Sequence, residues 1–518
     1  MTGRRRLLWA TAILSLVAGC ASPTPSESPA ATGVVPTSSP ALATPTATPV
    51  PAPATASLKL MDFNIEYGGE TIDFAKIVEA VKLADPDVVA LEEATGNTEK
   101  LADALGWPYA SVRSQLISKL PLIDPPAADG RYAYVEVRPG EVVAISNVHL
   151  PSDPYGPTEL IAGSSVDDIL ALEEATRMPA IQERLDVLPD LVAQGIPTFL
   201  TGDFNAPSHL DWTDEAIGLR PHVTAAVPWP VSTAIAAAGF RDTYRELHPD
   251  PVADPGLTWW AGRPLVDGYP DPSEPQDRID IIYAAGPVTT DATVIVGEAG
   301  GPQVDVAVDP WGTDHRGVMG TFTVTPATPG PYVAVDDRLA TLGEPVIVRY
   351  QPTTATTSVV IRAVGSTGEV VAETTSAPAG GPWEVDPAGL QAGDHEAWLV
   401  AADGSVESIA EFTVVAAGTP VTLATDDTTY ASGDPITVVW RDAPGARWDW
   451  IGVYPRGGDP LVDSYLFYVY TDQSVAGSVV IDESGEGDWP IPPGDYDVHY
   501  LLDDGYVSLA SAPFTVSQ

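Results

Sequence analysis

The chain has 518 residues, 44% of them hydrophobic, one cysteine and a formal charge of −46. That length calls for two to four domains, and the hydrophobic fraction is ample to fill their cores. The charge excludes a broad basic footprint for nucleic acid and the lone cysteine excludes an intrachain disulfide, yet a phosphate ester stays open as substrate, because a bound metal ion can supply positive charge locally.

At the N-terminus, Arg4, Arg5 and Arg6 precede the apolar run L-L-W-A-T-A-I-L-S-L-V-A-G, which ends at Cys20. The run is shorter than the ~20 apolar residues of a membrane span and has the charged start and small-residue end of an export signal. V-A-G-C resembles the lipobox of bacterial lipoproteins. That resemblance implies a signal peptide over 1–20, lipidation of Cys20 and a chain anchored to the membrane at the extracellular face of the cell; the alternative is an ordinary secretory signal with an incidental cysteine and a secreted chain. Residues 21–56 are Pro, Thr, Ser and Ala almost throughout, too poor in large apolar groups to build a core, and read as an extended tether.

From 57 to 325, strand-like and helical runs alternate. S-L-K-L-M-D-F-N-I (57–65), D-V-V-A-L-E-E (87–93), E-V-V-A-I-S-N-V-H-L (141–150) and I-P-T-F-L-T-G-D-F-N (196–205) are strand-like. F-A-K-I-V-E-A-V-K-L-A (74–84), V-D-D-I-L-A-L-E-E-A-T-R (166–177) and the following L-D-V-L-P-D-L-V have helical spacing. The mixture predicts an α/β domain of sheets covered by helices.

Beyond about 326 the helical signal stops and short β-rich runs alternate with Gly, Pro and Asp turns. D-D-R-L-A-T-L-G-E-P-V-I-V-R-Y (336–350) aligns with D-D-T-T-Y-A-S-G-D-P-I-T-V-V-W (426–440), and 392–404 aligns with 493–505. The repeat predicts two all-β, immunoglobulin-like sandwiches over 328–416 and 419–518. Trp448 and Trp450, in W-D-W-I-G-V-Y, are assigned to the core of the second, with a ligand surface as the alternative.

Strand alternation sorts the polar residues by face. Asp62 shares a face with Asn64, and Asn147 shares one with His149. Asp203 and Asn205 project together. Glu93 follows Val89 and Leu91, which turns Glu92 the other way, and Asp280 sits in the apolar run D-R-I-D-I-I-Y. Any one of these could be an ordinary hydrogen-bonded residue. A buried carboxylate is costly unless it is paired or metal-bound, so the set together points to a site. Asp314 and His315 are adjacent in P-W-G-T-D-H-R-G, a loop before a strand, where neighbours can reach one pocket.

In order, N-I (64–65), L-E-E (91–93), N-V-H-L (147–150), G-D-F-N (202–205), R-I-D (278–280) and T-D-H (313–315) resemble the endonuclease/exonuclease/phosphatase superfamily over 57–325. The resemblance implies a four-layered α/β sandwich with its site at one edge of two packed sheets. It also implies hydrolysis of phosphate esters with a divalent metal, usually Mg2+, with Mn2+ able to replace it. Carried over, Glu93 is the main metal ligand, Asn64 lies beside it, and Asp314 holds the metal or its waters. Asp203 and Asn205 position the attacking water and a phosphate oxygen. His315, oriented by Asp280, is base or donor to the phosphate, and His149 bonds the phosphate or helps protonate the leaving group. Tyr155 and His209 are candidate substrate contacts, while His222, His248, His395 and His499 are assigned to structure or surface.

The expected activity is extracellular phosphodiester hydrolysis by a monomer acting as a nuclease. The alternatives are a phosphodiesterase or phosphatase for lipid headgroups or nucleotides, and a non-catalytic surface-binding protein. The β-sandwiches are expected to position the enzyme or bind a cell-wall or matrix component.

Overall fold

The computed structural model describes residues 54–266, 274–353, 358–364, 370–375, 381–483, 485–487 and 489–518. The expected signal peptide, Cys20 and all but the last few residues of the tether lie outside them.

Five strands position the site: β1 (Ala56–Asn64), β2 (Val88–Glu92), β3 (Glu141–His149), β4 (Thr198–Asp203) and β5 (Asp280–Ala285). β1 and β2 pair in parallel within a seven-stranded sheet, where the strand Gly317–Val324 runs antiparallel on the other side of β1. β3 and β4 pair in parallel within a six-stranded sheet, and β5 lies antiparallel to β4.

The two sheets pack face to face through alternate residues. Leu58, Leu60, Val88 and Ala90 meet Val143, Ile145, Phe199, Ile282 and Ala284 in one buried core. The opposite parity of the first sheet, Met61, Phe63, Val89 and Leu91, packs on the helices Phe74–Ala84 and Thr98–Leu105. The opposite parity of the second, Ala144, Val148, Leu200 and Ile281, packs on Val166–Leu185, Leu188–Ala193 and Pro230–Ala237. The order of layers is therefore helix, sheet, sheet, helix.

Helix ends are set locally. Asp73 caps Phe74–Ala84 by accepting from the Ala75 N–H, and Ser165 with Asp168 forms a reciprocal capping box at Val166–Leu185. A buried ion cluster braces the approach to β5, with Arg278 bonded to both Asp211 and Asp242.

From Tyr332 onward the described residues form strands and one 3-10 turn. A three-stranded and a five-stranded sheet share a core that includes Val348, Ile361, Leu399 and Phe412. A three-stranded and a six-stranded sheet share another, with Trp440, Ile451, Tyr500 and Phe514. The repeated segments take equivalent places: Leu339–Thr341 runs parallel to Val406–Val415, and Thr429–Ala431 parallel to Ser508–Ser517. Pro53–Gln518 form one compact unit, so both β-modules pack with the α/β domain.

Candidate active site

Strand register gathers the polar residues at one edge. The parallel pairing of β3 and β4 sets His149 beside Asp203, and the antiparallel pairing of β5 sets Asp280 on the other flank. Asp280 opens its strand instead of ending it, but an antiparallel neighbour brings its start to the edge where β4 ends. The close β3–β4 approach requires Gly202, where an added Cβ would lie 1.9 Å from the Val148 carbonyl oxygen and φ is +141°.

Across the sheets, the Asn64 amide donates to Glu93 Oε1 at 3.1 Å and to Asp203 Oδ2 at 3.2 Å. The Asn64 side-chain oxygen, Oδ1, accepts the Glu66 N–H at 3.0 Å. His315 Nδ1 is 3.0 Å from both Asp280 oxygens, which fixes that edge of the ring and turns Nε2 toward Asp203. His149 Nε2 and His315 Nε2 each lie 3.7 Å from the same Asp203 oxygen, Oδ2, and His315 Nε2 is 3.9 Å from Asp314 Oδ1. Asn205, at φ +47°, donates its backbone N–H to Asp203 and its amide to the Leu150 carbonyl. Asn64, Glu93, His149, Asp203, Asn205, Asp280, Asp314 and His315 thus belong to one neighbourhood.

Its electrostatics are dominated by carboxylates. Burial and the nearby Asp280 raise Asp203 to about 6. Burial, then Asp314, raises Glu93 above the usual carboxylate range. Burial opposes charge on His315, but Asp280, Asp314 and Asp203 outweigh it and raise the imidazole well above its ordinary value.

Simple alternation misplaces Glu93. β2 ends at Glu92, and φ of +53° at Glu93 breaks the two-residue period and returns its carboxylate to the site, where Oε2 accepts the Tyr67 N–H at 3.3 Å. Glu92 instead keeps the inner parity and is fully buried beside Asp62 and Asp280. Among the described residues neither Glu92 oxygen has a partner within hydrogen-bonding geometry, and burial followed by Asp62 and Asp280 raises its pKa well above 4.5. A native state that holds this proton more tightly than the unfolded chain loses stability as pH climbs from about 4.5 through the folded value. Glu92→Gln is therefore expected to raise the Tm of the metal-free protein, more at pH 8 than at pH 5, by about 2–4 °C for each kcal/mol recovered. An equal fall in Tm at both pH values, read by calorimetry, would contradict this.

Several participants carry no motif. Glu66 Oε2 accepts the Asp314 N–H at 3.0 Å, and Arg263 braces Glu66 at 2.5 Å. Glu66 continues the Asp62, Asn64 alternation, which was its only signal. Trp259 Nε1 approaches Asp314 Oδ2 at 3.4 Å. Tyr155 packs edge-on against Trp259 and donates to Asp277 at 3.2 Å, which leaves it at the margin of the site. His209 is directed elsewhere, its ring nitrogen 2.9 Å from the Ser232 hydroxyl.

The second β-module reaches the turn that carries Glu93. Asp503 accepts the Gly96 N–H at 2.8 Å and the Gln115 amide at 3.2 Å, while Trp448 Nε1 donates to Gln115 Oε1 at 3.3 Å. Trp450 is in the module's interior, 5% exposed. Because small misplacements of a catalytic group are costly, Asp503→Ala is expected to lower kcat by about 10–100-fold, with Asp503→Asn recovering part of the loss. Steady-state kinetics at saturating divalent cation check this; an unchanged kcat in Asp503→Ala would show that the turn holds itself.

Residues 63–315 match the Endonuclease/Exonuclease/phosphatase family. An uncharacterized Caenorhabditis elegans protein, F14F9.5, is 32% identical over 255 residues, which cover 45% of this chain and 79% of that protein. Among solved structures, an endonuclease/exonuclease/phosphatase from Beutenbergia cavernae is 18% identical, with 69% of this chain and 99% of that one covered and a TM-score of 0.31. Danio rerio TDP2 with a single-strand DNA product is 15% identical, covering 52% and 99%, with a TM-score of 0.31. Bacteroides thetaiotaomicron mannosyl-6-phosphatase is 13% identical, covering 51% and 99%, with a TM-score of 0.30.

The divalent cation on which this family depends fits the donor set. Glu93, Asp203 and Asp314 offer hard oxygen ligands, and among the described residues no Lys or Arg side chain bonds to Glu93 or Asp203. Their excess negative charge matches an added cation.

Proposed function

The chain belongs to the endonuclease/exonuclease/phosphatase family through residues 63–315, and on that premise we propose that it is an extracellular, Mg2+-dependent phosphodiester hydrolase acting as a nuclease. The observation that carries the reading is the convergence of two imidazoles on one Asp203 oxygen, within a cluster whose other members are Asn64, Glu93, Asp280 and Asp314.

Glu93 and Asp314 would hold the cation, with Asn64 keeping Glu93 and Asp203 in register. Bound there, the ion supplies positive charge to a phosphoryl oxygen and lowers the repulsion between the phosphate and its nucleophile. Asp203 accepts a proton from the attacking water and aims it, helped by the Asn205 turn. His149, its side chain 17% exposed, reaches the phosphate from the β3 side. His315 exchanges a proton with the phosphate or leaving group through Nε2, while Asp280 fixes Nδ1. The pentacoordinate charge that develops is stabilised by groups already in place.

A small phosphate ester, such as a nucleotide or lipid headgroup, is the second reading. It is favoured by the formal charge of −46, which repels long polyanions. In either case Cys20 would tether the enzyme to the membrane, and the paired sheets after residue 331 would form immunoglobulin-like modules that hold it at the cell surface.

The test is a panel of plasmid DNA, RNA, bis-p-nitrophenyl phosphate, nucleotides and sphingomyelin, each with Mg2+, Mn2+ or EDTA. Cation-dependent cleavage of DNA or RNA supports the nuclease. Turnover confined to small esters supports the second reading, and no turnover of any ester contradicts both.

A further inference from the structure

Behind β3, where the second β-module meets the α/β domain, Arg131, Arg184 and Arg447 line a recess of about 590 Å³ with Trp448 and Tyr470. This concentration of cations stands out in a chain of net charge −46. Arg184 and Arg447 are only 6% and 8% exposed. Four acids share the lining, Asp129, Glu183, Asp186 and Asp472, but all are exposed, so the cations lie deep and the carboxylates at the rim.

Among the described residues neither deep guanidinium forms an ion pair with a buried acid, although the buried Glu92 and Asp503 carboxylates lie near enough to act on Arg447. Arg184 pairs, among the described residues, only with its exposed neighbour Glu183, at 3.5 Å, and its buried Nε has no hydrogen-bond partner there. Arg447 donates Nη1 to the Asn147 carbonyl at 2.6 Å and sits over the Trp448 ring, 5.0 Å from its centroid. Burial above all, with Arg131 acting on Arg184 and Arg184 on Arg447, pushes the two down to about 10 and about 9. Two cations buried side by side are costly unless an anion joins them.

We propose that this recess is a second, non-catalytic anion site for a phosphate monoester, its oxygens held by Arg184 and Arg447 and its organic group covered by Trp448 and Tyr470. The guanidinium fork matches a tetrahedral oxyanion, and two or three such forks suit a dianion better than a carboxylate. Trp448 and Tyr470 meet edge to face with centroids 5.3 Å apart and give the wall an angled apolar corner. The site is independent of the hydrolytic reading. It adjoins the catalytic edge all the same, because the carbonyl that Arg447 grips belongs to Asn147, two residues before His149 in β3.

The test is calorimetric titration of the full chain in EDTA, which denies an anion any cation-bridged contact with the acidic cluster. The probes are inorganic phosphate, phenyl phosphate and acetate. Expected is one phosphate per chain, tighter binding of phenyl phosphate, and no measurable heat from acetate. Arg184→Gln is expected to weaken phosphate about tenfold or more, and Arg184→Lys, which keeps the charge but loses the fork, by an intermediate factor. The Tm of each variant without ligand confirms that it folds. Absence of phosphate heat, acetate binding equal to phosphate, or undiminished affinity in a folded Arg184→Gln would overturn the site. Phenyl phosphate no tighter than phosphate would overturn the aromatic wall.

Discussion

Glu93→Gln is expected to lower kcat/KM by about 10³-fold and to shift the divalent-cation dependence to higher concentration, while the fold survives. Glu93 receives the Asn64 amide on one oxygen and the Tyr67 N–H on the other. A glutamine offers one acceptor and one donor to these two donors, so one contact becomes repulsive as the ligand charge disappears. The loss of charge falls where Asp203 and Asp314 already crowd the pocket. In EDTA, therefore, the variant is expected to be no less stable than the parent, since burial and Asp314 already disfavour the ionised Glu93 carboxylate. Full activity at ordinary Mg2+ concentrations would remove Glu93 from the metal site.

His315→Ala is expected to cost about 10²–10⁴-fold in kcat, the usual worth of a positioned proton-transfer group. Asp280→Asn should reproduce much of that loss, because an amide cannot accept the Nδ1 proton at both of the 3.0 Å contacts that now orient the ring. The informative comparison is the double variant. If Asp280 acts through His315, adding Asp280→Asn to His315→Ala lowers kcat little further, whereas independent roles would multiply. A multiplicative loss would show that Asp280 touches the reaction by another route, and the buried Asp62, Glu92 and Asp280 group would then be the place to look.

Much of this site was legible from alternation and motif order. The inner parity of β1, β3 and β4 brings Asn64, His149 and Asp203 to one edge, and the helix expected over 74–84 is observed as Phe74–Ala84. Glu93 shows where alternation stops: a positive φ is invisible to a two-residue period, so the face assigned to Glu93 was that of Val89 and Leu91. Asp280 shows a second limit, since the direction of β5 decides which end of the strand lies at the site.

The residues that sequence could not supply depend on chain closure over long separations. Asp503 meets Gly96 across 407 positions, and Arg447 meets Asn147 across 300. Nothing in W-D-W-I-G-V-Y or L-L-D-D-G says that these turns fold back against the catalytic edge. The repeat announces two similar β-modules, but only the tertiary contacts reveal that the second supports the Glu93 turn. Buried guanidinium groups are equally silent in a sequence where most arginines pair with acids.

The central claim is that the acid and imidazole cluster hydrolyses phosphate esters with a divalent cation. Its most direct measurement is the initial rate of bis-p-nitrophenyl phosphate cleavage by the wild-type chain and by His315→Ala, each stripped with EDTA and then titrated with Mg2+. The account predicts a negligible rate in EDTA, saturable recovery of the wild type as Mg2+ is added, and no comparable recovery in His315→Ala. Equal rates with and without Mg2+, or equal recovery in both proteins, would contradict it.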